Sequence, residues 1–233
     1  MSTIDANLQA VQQIIGAAAR EAGRAPRSVA LLAVSKTFGF EAVLEAVRAG
    51  QRAFGENYLQ EALDKIAAVA AAVPETPLEW HFIGPIQSNK TRPIAQHFDW
   101  VHAVEREKIA QRLSEQRPAG MAPLNICLQV NISGEASKSG VTPAELPELA
   151  RRVAALPNLK LRGLMAIPEP EANFEAQRAP FARLRQLYEQ LRADGLELDT
   201  LSMGMSADLR AAIVEGATIV RVGSAIFGAR HYS

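Results

Sequence analysis

The sequence predicts a single (β/α)8 barrel with an extra N-terminal helix, on three observations. Short, almost continuously apolar runs recur along the chain, as expected of parallel strands covered on both faces. A longer segment with apolar residues at helical spacing separates each run from the next. No Gly/Ser-rich linker or composition break divides the 233 residues, which read as one domain over 1–233. Eight such units in a chain of this length fit a barrel better than a doubly wound open sheet.

The elements follow in order. Residues 2–22 place Ile4, Leu8, Val11, Ile14, Ile15 and Ala18 at helical spacing, and this first helix is free to cover the bottom of the barrel. Residues 28–35 (SVALLAVS) form the first strand, and a helix over 40–49 stops at Gly50, a usual C-cap residue. A strand at 52–55, a helix at 58–72 and a strand at 79–83 come next. The pattern continues with a helix at 87–97, a strand at 100–103 and a helix at 106–116. Residues 124–131 (LNICLQVN) read as a strand, and 143–156 as a helix with Pro143 in its first turn. The strand at 161–167 leads to a long helix at 173–193. Strands at 200–203 and 218–222 close the series around a helix at 207–215.

Composition narrows the function classes. Lys plus Arg is 25 and Asp plus Glu is 25, so the formal net charge is zero. A neutral chain is poorly suited to electrostatic binding of nucleic acid or a membrane surface. The single cysteine, Cys127, forbids an intrachain disulfide and any cysteine-cluster zinc site, and mid-strand it reads as a small buried hydrophobe. No apolar run is long enough to span a bilayer, and the N-terminus lacks a basic region before an apolar stretch. The expected address is the cytoplasm.

Chemistry in such a barrel sits on the loops after the carboxyl ends of the strands. Those positions hold Lys36; Glu56 and Asn57; His81 and Gly84; His102; Asn131, Ser133 and Lys138; Met165; the run Met203-Gly-Met-Ser206; and Arg221-Val-Gly-Ser224. Lys36 directly follows an apolar strand in a chain with six lysines against nineteen arginines. Partial desolvation there favours a neutral amine able to form a Schiff base, whereas a rim lysine would snorkel to water. Ser206 is the expected N-cap of the helix at 207–215, and Gly223-Ser224 follows the last strand. The loops after strands seven and eight are the usual phosphate site of this fold, and Gly204 and Gly223 would let backbone approach a ligand closely. Arg221 lies among apolar neighbours and needs a partner, either an aromatic nitrogen of a bound ring or a carboxylate such as Glu56.

Other motifs are weaker. Gly204-Met-Ser206 starts like a nucleophile elbow, but position 208 is Asp rather than Gly and only His231 follows as a histidine. GEASKSG at 134–140 lacks the residue order of a phosphate-binding P-loop. His81 and His102, with Glu56, could supply three metal ligands, but two histidines alone fall short of a zinc site, and pocket or core roles are the simpler expectation.

Taken together these segments resemble the pyridoxal-phosphate homeostasis proteins (the YggS / proline-synthase co-transcribed family) and, through them, the barrel domain of alanine racemase. The resemblance rests on AVSK at 33–36, FGENYLQE at 54–61, WHFIGPIQSNK at 80–90 and VNISGEASKSGV at 130–141. LRGLMAI at 161–167, SMGMSADLRAAI at 202–213 and VRVGSAIFG at 220–228 complete it, so it spans nearly the whole chain. Ala103-Val-Glu105 departs from the Ser-Val-Asp common in the family after the histidine. The resemblance implies that Lys36 holds pyridoxal 5′-phosphate (PLP) as a Schiff base. Ser206, Gly223 and Ser224 would then bind its phosphate and Arg221 would face its pyridine nitrogen. Asn57 and Met203 would line the ring, with His81 and Met165 nearby, and Lys138 is a second amine near the pocket.

An arginine opposite the ring nitrogen accepts no proton, which weakens the cofactor as an electron sink and argues against decarboxylation or transamination. Racemisation needs a base on each face, and the resemblance places the second base on a tyrosine of a further C-terminal domain. With the sequence ending at Ser233 and only Tyr58, Tyr188 and Tyr232 present, one base, Lys36, is expected. The resulting expectation is a protein of intracellular vitamin B6 and amino-acid homeostasis with no dedicated reaction, handing PLP to PLP-requiring apo-enzymes and behaving as a monomer. A low-activity amino-acid racemase is the alternative, and a phosphosugar-type barrel enzyme without a vitamin cofactor is a third reading.

Overall fold

The computed structural model describes residues 2–134 and 139–229. Its elements are α1 (Thr3–Glu21), β1 (Ala30–Val34), α2 (Phe40–Arg48), β2 (Ala53–Glu56), α3 (Leu59–Ala72) and β3 (Glu79–Phe82). After a 3-10 turn at Ser88–Lys90 come α4 (Thr91–His97), β4 (Trp100–Val104), α5 (Glu107–Gln116), β5 (Leu124–Gln129) and α6 (Leu146–Ala154). The chain continues through β6 (Leu159–Met165), α7 (Phe174–Ala193), β7 (Thr200–Ser202), α8 (Leu209–Val214), β8 (Ile219–Val222) and α9 (Ser224–Phe227). The eight strands close into a parallel barrel in sequence order, with β8 pairing back onto β1 through Leu32 opposite Arg221 and Ala33 opposite Val222.

Two apolar regions follow from the alternation of side chains along each strand. The outer one, between sheet and helices, includes Ala33, Phe54, Phe82, Val101, Ile126 and Leu164 with the buried stripes of the helices. The inner one, inside the barrel, consists of buried Leu32, Trp100, Ala103, Cys127, Met165 and Ile219, with partly buried Ala53 and Ile83 packed against them. Cys127 is fully buried, and burial pushes its thiol up to about 12, which makes it the inert hydrophobe expected.

The first helix departs from expectation. Ser2 caps it by accepting from the Asp5 N–H at 3.2 Å, and its apolar stripe packs against α8, α9 and α2 rather than across the barrel floor. After β8 the described chain offers only the four-residue α9. Helix α1 therefore fills the place in the outer ring between α8 and α2. Polar stitches fix it there: Asn7 Nδ2 donates to the Ile226 carbonyl at 2.9 Å, and Arg210 pairs with Glu21. A second difference concerns the helix expected from residue 143. It begins at Leu146 with Pro147 in its first turn, because Thr142 and Glu145 close a turn ahead of it. Among the described residues no helix is long and apolar enough to cross a membrane.

Candidate functional site

Strand β1 carries the candidate lysine. Leu32 belongs to the inner cluster, so the two-residue alternation puts Val34 and Lys36 on the same side and Ser35 on the helix side. Lys36 is half-buried, and the residues on either side of it are tied down. Ser35 Oγ donates to Glu56 Oε1 at 2.6 Å, and the Ser35 carbonyl accepts from Lys65 Nζ at 2.8 Å. The Thr37 N–H donates to Glu61 Oε1 at 2.7 Å, with Thr37 held at φ 69°, a conformation rarely adopted by a β-branched residue. Lys65 joins these ties, reaching Glu56 Oε1 at 2.6 Å and Glu61 Oε1 at 2.9 Å from a site that is 4 % exposed. Burial raises the Glu56 carboxyl above the usual range, opposed by the charge and hydrogen bond of Lys65.

Sequence reasoning passed over Lys65, Glu61 and Ser35. The signal was present: Ala62, Lys65 and Val69 lie on one face of α3, and all three are buried. A lysine on an apolar helical stripe asks for a buried partner.

Strand β8 supplies Arg221, which is 5 % exposed and pushed down to about 10 by burial. Its Nη1 donates to Ser202 Oγ at 2.8 Å and its Nη2 to the Ala166 carbonyl at 3.1 Å. The Arg221–Glu56 pair weighed from the sequence does not form. Glu56 lies on the outer side of β2 with Lys65, whereas Arg221 points into the barrel. The guanidinium therefore has no carboxylate in contact among the described residues, although the charge of Asp208 is close enough to favour its cationic form.

The loops after β7 and β8 lie side by side, joined by the Arg221 N–H donating to the Gly204 carbonyl at 2.9 Å. Gly204 has φ 96°, and a Cβ there would stand 2.6 Å from the Ala212 Cβ, so only glycine lets the loop turn against α8. A Cβ on Gly223 would come within 3.1 Å of the Val34 carbonyl. Ser206 and Ser224 are exposed at this end, Ser224 as the first residue of α9. Ser206 is not the N-cap of α8: Asp208 holds that position and its Oδ1 accepts from the Met205 N–H at 2.7 Å. The helix starts later because the Met205–Asp208 turn uses the residues expected to form its first turn.

The remaining expected residues separate. Asn57 follows β2, half-buried, and its Oδ1 is buried with no hydrogen-bond partner. Met165 ends β6 inside the barrel. Met203 is wholly buried in the outer cluster, on the opposite side of β7 from Ser202, so its side chain packs behind the strand. His81 lies deep in the barrel, 2 % exposed, with Nδ1 2.8 Å from His102 Nε2. Burial lowers the pKa of both histidines, that of His102 well below the ordinary value. Among the described residues no three His, Cys, Asp or Glu side chains gather as metal ligands, which removes the His81–His102–Glu56 centre. Lys138, His231 and Tyr232 lie outside the described residues. Tyr188 donates to the Leu198 carbonyl, which precedes β7 at the far end of the barrel, while Tyr58 is exposed at the same end as Lys36. A cleft of about 700 Å³ opens at that far end, lined by α1 and by Arg20, Arg27 and Arg52, and includes none of the expected site residues.

Comparison with known proteins agrees with this fold. Residues 3–231 match the family model "Alanine racemase, N-terminal domain". The pyridoxal phosphate homeostasis protein of Pseudomonas aeruginosa is 66 % identical over 232 residues, covering all of this chain and 98 % of that one. PipY of Synechococcus elongatus, solved with PLP bound, superposes with a TM-score of 0.82 at 36 % identity, covering 97 % of this chain and 100 % of that one. Alanine racemase from Corynebacterium glutamicum shares the fold alone: TM-score 0.68, 16 % identity, 99 % of this chain and 61 % of that one. The chain belongs to the pyridoxal phosphate homeostasis protein family, built on the N-terminal barrel of alanine racemase.

Proposed function

We propose that this chain binds pyridoxal 5′-phosphate through Lys36 and serves intracellular PLP homeostasis without a dedicated reaction of its own. The observation that carries the reading is the pairing of adjacent strands. β1 brings a half-buried lysine, and β8 a buried guanidinium free of carboxylate contact, to the end where the β7 and β8 loops meet. The residues suit the cofactor: Asn57 Oδ1 is a buried acceptor without a partner, and Gly223 leaves room that a side chain would take. The relatives' names state a homeostasis role and no reaction.

When bound, the cofactor supplies an aldehyde that condenses with amines and a ring that withdraws electrons. Lys36 provides the amine. Ser206, Gly223 and Ser224 offer hydroxyls and backbone N–H groups to the phosphate, at the place where this fold takes phosphate. Arg221 would face the ring nitrogen as a donor and could accept no proton from it. Asn57, Met165 and His81 would line the space for the ring, and Met203 would support that wall by packing behind β7. In this reading residues 1–233 form one domain acting as a cytoplasmic monomer. PLP-requiring apo-enzymes would dock over the mouth, where Phe40, Tyr58, Ile167 and Met205 expose apolar surface.

The test is the visible absorbance of the purified chain, with borohydride reduction and peptide mass spectrometry. A yellow protein carrying reduced pyridoxyl phosphate on Lys36, lost in Lys36→Ala, supports the reading. A colourless chain that stays unlabelled after incubation with PLP sinks it. Exchange of an amino-acid α-proton into deuterated water above the rate with free PLP, abolished in Lys36→Ala, would favour the racemase instead.

A further inference from the structure

Inside the barrel a single file of hydrogen bonds connects the bottom rim to the guanidinium near the mouth. Glu79, the first residue of β3, is half-exposed, and its Oε1 lies 2.8 Å from His81 Nε2. His81 Nδ1 is 2.8 Å from His102 Nε2, and His102 Nδ1 is 2.7 Å from Ser202 Oγ. Ser202 Oγ in turn accepts from Arg221 Nη1 at 2.8 Å. The three middle members are at most 2 % exposed. Four strands, β3, β4, β7 and β8, contribute to it.

Its ends fix its direction. A guanidinium can only donate and a carboxylate can only accept. Arg221 donates to Ser202, whose hydroxyl then donates to His102 Nδ1. That leaves His102 protonated on Nε2, donating to His81 Nδ1, and His81 protonated on Nε2, donating to Glu79. Reversing the two histidines would set a bare nitrogen against the carboxylate. With both rings neutral, each ring nitrogen makes one hydrogen bond and the Ser202 hydroxyl makes two, one accepted and one donated, in a single direction from cation to anion.

We propose that Glu79, His81, His102 and Ser202 are positioning residues that orient Arg221 and couple its charge to an anion at the opposite end of the barrel. The idea rests on the cofactor reading for its consequence and not for its existence. Aligned hydrogen bonds in a low-dielectric interior polarise one another, so the far carboxylate offsets a cation that has no carboxylate beside it. Other charged groups surround the file. Asp99 acts on His81, the rings of His81 and Trp100 stack at 5.2 Å, and Arg162 covers the indole at 4.5 Å. Asp208 acts on Arg221, and the neighbouring Cys127 is a neutral thiol. Among the described residues only Glu79 reaches the guanidinium through an unbroken chain of hydrogen bonds.

The first test needs no cofactor. Nitrogen-15 NMR of the histidine rings in the unloaded chain should show His81 and His102 both neutral and both protonated on Nε2 at pH 7. A proton on Nδ1 of either ring, or a cationic ring, overturns the proposal. The second test uses the PLP-loaded chain and Glu79→Gln, which alters the rim and leaves the mouth untouched. The pH midpoint of the visible band should move downward by about half a pH unit, as expected of one remote charge. Glu79→Asp should keep the wild-type midpoint, and Glu75→Gln, an exposed charge outside the file, should not move it. A midpoint unchanged in Glu79→Gln overturns the coupling. If the chain takes up no PLP at Lys36, the cofactor reading fails while the tautomer result still decides whether the file exists.

Discussion

The outer and inner sides of the same eight strands are built on opposite principles. Outside, Phe54 from β2 and Ile94, Phe98, Leu113 and Phe181 from the surrounding helices and their ends are essentially inaccessible in one apolar layer, where most contacts are dispersion and removal from water. Inside, six apolar residues share the space with buried His81, His102, Ser202 and Arg221. Such polar groups contribute little net stability and are costly to leave unpaired. The barrel concentrates its stability in one layer and its chemistry in the other, and a substitution should betray which layer it struck.

The largest effect is expected from Phe54→Ala. The ring is 0 % exposed, and its loss should cost about 3–5 kcal/mol in denaturant unfolding while borohydride labelling of Lys36 in the surviving folded chain stays unchanged. Lys65→Met crosses the boundary, because Lys65 comes from a helix yet ties the residues beside Lys36. Stability should fall by about 3 kcal/mol at pH 8, and the slowed labelling of Lys36 would be the sign that the clamp positions the amine. The loss should shrink in acid. Glu56 has a folded pKa raised by burial, so the folded state binds the proton first and stability declines as pH rises from the ordinary carboxylate value through the raised one.

A smaller effect tests the interior. Both histidines have folded pKa values below the ordinary 6.5, so the unfolded chain binds protons that the folded chain refuses. Their contribution is complete above 6.5 and is lost as pH falls toward the depressed values. From pH 6.5 to 5.5, wild type should lose about 1 kcal/mol more than His102→Gln, measured by urea unfolding at each pH. The smallest effect is expected on the rim of α6, where Glu148 contacts Arg151 and Arg152 in full solvent. Glu148→Gln should leave the unfolding midpoint unmoved, and a clear shift would mean that the surface carries more than the comparison allows.

The alternation of apolar runs and amphipathic segments made the fold legible, because each strand is a local pattern of three to seven residues. The site was legible where one residue broke such a pattern: Lys36 after ALLAV, Arg221 within IVRV, Gly204 and Gly223 where backbones crowd. What escaped depends on closure. His102 and Ser202 are 100 residues apart in sequence and meet only once the barrel forms, so no window of sequence contains their bond. Ser206 and Asp208 show a finer limit, since two residues with equal capping chemistry compete for one helix start and tertiary packing chooses. Pro143 and Pro147 pose the same problem at α6.

Helix α1 fills the gap that β8 leaves in the outer ring, and this has a consequence for biosynthesis. Ile4, Leu8, Val11 and Ile15 leave the ribosome ahead of the whole barrel, yet their partners on α8 and α9 follow only after β7. Until then the part of the stripe that α2 does not cover faces water or a chaperone, and the seam between β1 and β8 stays open until β8 arrives. A nascent chain stalled before β8 would thus present a greasy helix and two bare sheet edges, the features that draw quality-control machinery and promote self-association.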